Sequence, residues 1–368
     1  MNKIVLALLL LGPVAAAQDS AGFAVLPQDK PADKHTSTDP RKCKKCVPAY
    51  EKAMAKIKKE LNSASFPAKM VAGWVFLYDG RYNDEVKVIV REACAWEQRK
   101  GNSQHAQNWY PALAGLFLTE YHKFAPTKET TEAITSIVAW FVKHQERTGG
   151  WFKWYEGAYK DRLDYPVKDL GILTAMVYGV LWSAKTHKIA VPDETMTKAE
   201  KCLLSYTTGE GISYGTGQQG GDPTGARGAF CMQGLLFAGQ TQHKIWKTYE
   251  KSLTKKLEKM DQGHHIGAFH CLGVTLGCHM LGQEPYAELI NMWLDKLIAK
   301  QEADGGVYVG DDGDAGGEKG LIGGNYGSTA AFALLILGQD MKILQNPKKG
   351  PAKPAPKPEP KTPTDGDK

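Results

Sequence analysis

One turn occurs twice in this chain, and it limits what the chain can fold into. The first copy is Trp140-Phe141-Val142-Lys143-His144-Gln145-Glu146-Arg147-Thr148-Gly149-Gly150-Trp151. The second is Leu297-Ile298-Ala299-Lys300-Gln301-Glu302-Ala303-Asp304-Gly305-Gly306-Val307. In both, an apolar residue stands four before a Gln, Gly-Gly begins four after it, and an apolar side chain follows. A repeated unit that joins a helix-like segment to a glycine turn points to an architecture of stacked helical hairpins.

The segments around these turns alternate between two kinds. Amphipathic, charged segments run over 49–61, 84–99, 129–145, 197–207, 244–260 and 287–301. In the fifth, Ile245, Tyr249, Leu253, Leu257 and Met260 form one apolar stripe among Lys and Glu, the period of a half-buried helix. Small-residue-rich segments, apolar nearly all round, run over 68–78, 109–121, 167–182, 226–239, 267–282 and 326–338. A helix apolar on all sides is buried in protein or in membrane. These are shorter than the roughly 20 residues a membrane span needs, so burial in protein is expected. Three of them end alike, at Gly239-Gln240, Gly282-Gln283 and Gly338-Gln339, where glycine suits a left-handed helix cap.

Six exposed-then-buried hairpins can stack in a line or close into a ring. Small residues such as Gly73, Ala112, Gly115, Gly179, Gly234, Gly273 and Ala330 let buried helices approach closely. No terminal hairpin carries an obvious polar capping face, which a linear solenoid needs. The expectation is therefore an all-α (α/α)6 toroid over 49–346, with the buried helices as an inner ring and the amphipathic helices outside.

The twin turn resembles the QW repeat of squalene and hopene cyclases. Trp140, Phe141, Gln145, Gly149 and Trp151 follow that repeat's order, as do Leu297, Gln301 and Gly305, with Val307 where the repeat has Trp. The resemblance implies a terpenoid cyclase/protein prenyltransferase α/α-toroid, covering most of the body. It also implies structural roles for Gln145, Gly149, Gly150, Trp151, Gln301, Gly305 and Gly306: the Gln caps a helix end and the aromatic packs across the turn. The catalytic motifs of that superfamily are not matched. Asp311-Asp312-Gly313-Asp314 is the nearest approach to the cyclase Asp-x-Asp-Asp acid, and the Asp-x-Cys of zinc prenyltransferases does not occur.

The ends of the chain differ from the body. Met1-Asn2-Lys3, the apolar run Ile4–Leu11 and Ala15-Ala16-Ala17 have the layout of a cleaved signal over 1–17, so a secreted or periplasmic protein is expected, with no transmembrane segment after cleavage. Residues 18–48 are a polar, proline-punctuated linker that carries Cys43-Lys44-Lys45-Cys46. Residues 347–368 alternate Lys and Pro and suit a solvated tail able to touch an anionic cell surface. The formal net charge of +6 comes from these ends: six tail lysines face only Glu359, Asp365 and Asp367, and most of the remainder lies in the linker. The near-neutral body argues against a nucleic-acid partner. The CxxC lacks the His of a haem-attachment site, since Val47 follows it, and lacks a second CxxC; a local disulfide, a redox pair and half of a metal site are its readings.

In a toroid the turns before the inner helices would line one mouth. Candidate catalytic residues there are His105, Arg227, His265, Asp312 and Tyr326; candidate ligand-binding residues are Asn108, Asp169, His270 and Asn325. His264, His265, His270 and Cys271 have the chemistry of zinc ligands, although their spacing is not the i, i+4 pair that puts two ligands on one helix face. The sequence leaves the cofactor open. Two functional readings stand: binding of a small-molecule, lipid or saccharide ligand in the mouth, or an enzyme there. The enzyme reading covers a polysaccharide lyase or hydrolase, with Trp151, Trp154, Tyr155 and Tyr159 stacking on sugars unless Trp151 packs across its turn, and a terpenoid cyclase-like activity.

Overall fold

A computed structural model describes residues 42–99, 108–153, 169–205, 207–208, 211–215, 225–260, 267–309 and 324–338. Among them 72% are helical. The signal-like start, the linker up to residue 41 and the Lys/Pro tail lie outside the described residues. No described helix is long and apolar enough to cross a membrane.

Helices of the two kinds alternate as the pattern requires. The amphipathic set is α1 (Cys46–Lys59), α3 (Asn83–Cys94) with the short α4 (Trp96–Arg99), α6 (Lys128–Lys143), α8 (Asp193–Ser205), α10 (Lys244–Thr254) and α12 (Gln283–Ala299). The apolar set is α2 (Phe66–Asp79), α5 (Trp109–Tyr121), α7 (Gly171–Thr186), α9 (Ala226–Phe237), α11 (Gly267–Leu281) and α13 (Asn325–Leu337). Local chemistry sets several boundaries. Ser65 accepts from the Ala68 amide at the start of α2, with Pro67 in its first turn and Gly80 at φ +76° ending it. Thr127 and Thr130 cap α6 reciprocally, which satisfies amides that the first turn leaves open.

Two expected helices are interrupted. The segment 84–99 breaks at Ala95, and the break carries Trp96 into the core, edge-on to Trp140 at 5.6 Å. The segment 244–260 ends its α-helix at Thr254 and resumes as a 3-10 turn over Leu257–Lys259. There the Trp293 indole donates to the Leu257 carbonyl at 2.7 Å. A two-stranded ribbon, β1 (Thr207–Thr208) with β2 (Gly211–Ile212), stands before α9.

The apolar helices pack on one another in chain order: α2 on α5, α5 on α7, α7 on α9, α9 on α11, α11 on α13. The last, α13, packs back on α2 and also on α1. Amphipathic helices fill the outer grooves: α3 and α6 both touch α5, α6 also touches α7, α8 touches α7, α10 touches α9 and α11, and α12 touches α11 and α13. Small residues make the close approaches. A Cβ on Gly179 would lie 2.3 Å from the Phe230 carbonyl oxygen, and one on Gly234 would lie 2.3 Å from that of Gly179. Only glycine lets the α7 and α9 backbones meet this closely.

Candidate functional site

The twin turns are built from the same bonds. Gln145 donates from Nε2 to the Gly149 carbonyl and to the Thr195 carbonyl, both at 2.9 Å. Gln301 donates to the Gly305 carbonyl at 3.1 Å and to the Ala49 carbonyl at 2.8 Å. Each glutamine therefore ties its own turn to the first turn of another amphipathic helix, α8 in one case and α1 in the other. Gly149 and Gly305 have φ of +92° and +94°. A Cβ on either would meet a backbone oxygen at 2.3 Å, that of Lys198 or that of Lys52. The residue after the pair is held alike: the Trp151 amide donates to Thr174 Oγ1 at 3.1 Å, and the Val307 amide to Thr329 Oγ1 at 3.0 Å. Trp151 is fully buried, and its indole donates to the Phe141 carbonyl at 3.0 Å.

Most described candidates at the start of the apolar helices spend their polar groups on the scaffold. Asn108 is fully buried; its amide nitrogen donates to the Phe152 carbonyl at 2.6 Å and its oxygen accepts from Trp140 Nε1 at 2.8 Å. Arg227 is buried and donates to the Ile212 carbonyl at 2.9 Å, with its guanidinium 5.7 Å from the Tyr214 ring. It thereby anchors the ribbon against α9. Tyr326 is buried and donates to the Ile57 carbonyl at 2.9 Å, a bond from α13 to α1. Burial holds its phenol well above the usual range. Asp169 is buried and accepts from the Cys202 thiol at 3.6 Å. His270 is buried in the first turn of α11. Asn325 is half-buried; it donates to Glu302 at 3.0 Å and accepts from the Thr329 hydroxyl at 2.9 Å.

Asn108, Arg227 and Tyr326 each brace a different backbone carbonyl of another segment, at Phe152, Ile212 and Ile57. His105, His264, His265 and Asp312 lie outside the described residues, as do Trp154, Tyr155 and Tyr159. Cys271 is fully buried, and burial pushes its thiol up to about 12. Among the described residues no group of three His, Cys, Asp or Glu could hold a metal ion.

The two ends of the apolar helices differ. At the N-terminal ends, Trp109 of α5 stacks on Phe269 of α11 at 5.3 Å, and Phe230 of α9 meets Phe269 edge-on at 6.3 Å. At the C-terminal ends lies a polar cluster that the sequence reading missed. Glu120 of α5 is fully buried; Tyr78 of α2 donates to it at 2.5 Å, Gln233 of α9 at 3.1 Å, and Lys123 pairs with it at 3.2 Å. The Lys123 ammonium sits 3.0 Å from the centroid of the Phe237 ring. Beside it His122 and His187 stand edge-on at 4.8 Å, and His187 Nε2 is 2.7 Å from the Thr119 carbonyl. Burial raises the Glu120 carboxyl above its ordinary value and brings the Lys123 ammonium down to about 8. Both shifts have one cause, the cost of charge in an apolar surround. The signal was present in the sequence: Glu120 is the only charged residue between Trp109 and Tyr121.

The fold is a helical repeat-like one. No protein-family model matches the chain, and no curated protein matches it.

Proposed function

We propose that the chain is an exported (α/α)6 toroid that binds a ligand or partner at the N-terminal ends of its inner helices. The cyclic order of neighbours among the six apolar helices supports the ring, with α13 returning to α2. The clasp from Gln301 to Ala49 and the bond from Tyr326 to Ile57 join the late helices to the first.

The observation that carries the functional reading is the inequality of the connections. Those entering the apolar helices include 144–170, 206–225 and 300–324, whereas none leaving them is longer than 122–127. Long connections on a rigid scaffold are where binding residues concentrate. Helix N-termini gathered at one end also favour an anionic group. Asp312, Trp154, Tyr155 and Tyr159 stand on these long connections, and His105, His264 and His265 on shorter ones that enter the apolar helices at the same end. That composition fits an acidic saccharide better than a hydrocarbon, and the unmatched cyclase and prenyltransferase motifs argue against terpenoid turnover.

The test is a binding panel on the full-length protein: acidic polysaccharides, neutral polysaccharides and prenyl lipids in vesicles, read by tryptophan fluorescence and affinity electrophoresis. An acidic saccharide should bind, and alanine at Trp154, Tyr155 and Tyr159 together should weaken it at least about tenfold, as loss of sugar-stacking aromatics does. Binding of no panel member, or of prenyl lipid alone, overturns the proposal. Release of new reducing or unsaturated ends from a bound polysaccharide assigns the enzyme reading instead, with His105 and His265 as the first residues to substitute.

A further inference from the structure

The Cys43-x-x-Cys46 pair has no part in the proposed binding face. Cys43 precedes α1 and is half-buried, whereas Cys46 opens α1 and is fully buried. The Cys43 carbonyl accepts from the amides of both Cys46 and Val47 at 3.1 Å. That tight turn brings residues three apart onto one side, and the two thiols are hydrogen-bonded to each other. All seven cysteines are thiols in this structure. The other five stand on four other helices: Cys94 on α3, Cys202 on α8, Cys231 on α9, and Cys271 and Cys278 on α11.

The partners of this pair are not equivalent. Burial, the Cys43 hydrogen bond and the Asp295 carboxylate of α12 all disfavour the Cys46 thiolate, with Lys45 acting the other way. Lys45 is itself 3.9 Å from Asp295. Cys43 is the less buried of the two, between Lys42 and Lys44 and just before a helix N-terminus. Cationic neighbours and a helix start both favour a thiolate.

We propose that Cys43 and Cys46 form a thiol–disulfide exchange site, with Cys43 the attacking sulfur, Cys46 the resolving one, and an accessible disulfide as substrate. The Cys43 thiolate attacks one sulfur of the substrate, forms a mixed disulfide and releases the first substrate thiol. Cys46 then attacks the Cys43 sulfur as its proton passes to the departing substrate thiolate. The bond between Cys43 and the substrate breaks, and the second substrate thiol leaves. Two protein thiols are oxidised to one disulfide, and the substrate disulfide is reduced to two thiols. Burial of Cys46 confines the second step to a partner already attached at Cys43, because only that sulfur is in contact.

The test treats the full chain with oxidised glutathione, quenches by alkylation and reads the products by peptide mass spectrometry. The wild type should lose two hydrogens between Cys43 and Cys46 and retain no glutathione. Cys46→Ser should accumulate glutathione on Cys43, and Cys43→Ser should react at Cys46 at least about tenfold more slowly than the wild type reacts at Cys43. Should Cys46→Ser fail to fold by circular dichroism, Cys46→Ala carries the same readout. A wild type that stays a dithiol, glutathione on both cysteines at once, or rapid glutathionylation of Cys46 in Cys43→Ser each overturns the proposal.

Discussion

The clasp at Gln145 and the clasp at Gln301 share one backbone design, yet they close very different lengths of chain. The first reaches from α6 to α8, 50 residues along the chain, and the second from α12 to α1, 252 residues back. In both the Gln bridges two carbonyls, a left-handed glycine passes over a carbonyl of the next helix, and a threonine takes the following amide. They differ in what surrounds that design. The first adds Trp151, buried and bonded to the Phe141 carbonyl. The second has Val307, and adds an ion pair between Asp304 and Lys56. Thr148 stands at the Asp304 position, and Cys202 stands seven residues beyond Thr195 as Lys56 stands seven beyond Ala49. The shared part is therefore the joint between helices, and the additions are local reinforcement: apolar where the joint is short-range, ionic where it joins the two ends.

The strongest way to break the comparison is at the glycines. Gly149→Ala and Gly305→Ala each put a Cβ within 2.3 Å of a backbone oxygen at a φ above +90°. Each should destabilise by about 3 kcal/mol, since strain and overlap add. Denaturant unfolding measures it. Equal losses would show that the joint contributes alike at both places. A loss at Gly149 alone would mean that the second clasp contributes little to global stability.

Trp151→Val gives the first copy the side chain of the second. The indole is fully buried and its nitrogen is bonded, so the substitution should cost about 2–3 kcal/mol through lost burial and an unfilled cavity. The Phe141 carbonyl also loses its donor. The reverse change, Val307→Trp, should destabilise by overpacking, because Val307 is already fully buried. If Val307→Trp were neutral, the two sites would be more alike than the structure makes them.

These joints were half-legible in the sequence. The repeated spacing announced a turn with a structural glutamine, and the alternation of amphipathic and apolar segments marked twelve helical segments. Trp109–Tyr121 matches at both ends, 167–182, 197–207 and 287–301 start four residues from α7, α8 and α12, and 84–99 and 244–260 are interrupted. What the pattern could not carry was the far partner, since a carbonyl at Ala49 or Thr195 has no sequence signature. The same limit applied to Asn108, Arg227 and Tyr326. Residue type marked them as polar at a turn, but their partners at Phe152, Ile212 and Ile57 depend on how distant segments pack. Glu120 was missed for the opposite reason. An apolar helix was read by its majority, and the one carboxylate in it needed Tyr78, Lys123 and Gln233 from other turns before its burial made sense.

Substituting the glutamines separates the two joints by place more than by size. Gln145→Ala and Gln301→Ala each remove two hydrogen bonds to carbonyls and should cost about 1–2 kcal/mol. Hydrogen exchange locates the loss. Gln145→Ala should speed exchange chiefly in α8, and Gln301→Ala chiefly in α1. Acceleration of α8 by Gln301→Ala would contradict two independent joints.

The smallest effect belongs to the reinforcement found only in the second copy. Asp304 is exposed, and the hydrogen bond from Lys56, with that from the Gly306 amide, holds its carboxyl below the ordinary 3.8. Burial of Lys56 opposes its charge, but bonds to Asp304 and Glu60 outweigh this and raise its pKa above 10.5. The signs follow from linkage. The Asp304 contribution is present above pH 3.8 and is lost as pH falls through its lower folded value; the Lys56 contribution is present below 10.5 and is lost as pH rises through its higher one. Asp304→Asn should therefore lower the melting temperature slightly at pH 7, less than Gln301→Ala does, and the difference from wild type should shrink as pH falls below 3.8 and through the lowered folded value of the wild-type carboxyl. Thr148→Asn, at the matching position of the first copy, should show no such pH dependence. An equal response in the two variants would remove the ionic distinction between the clasps and leave only the indole to tell them apart.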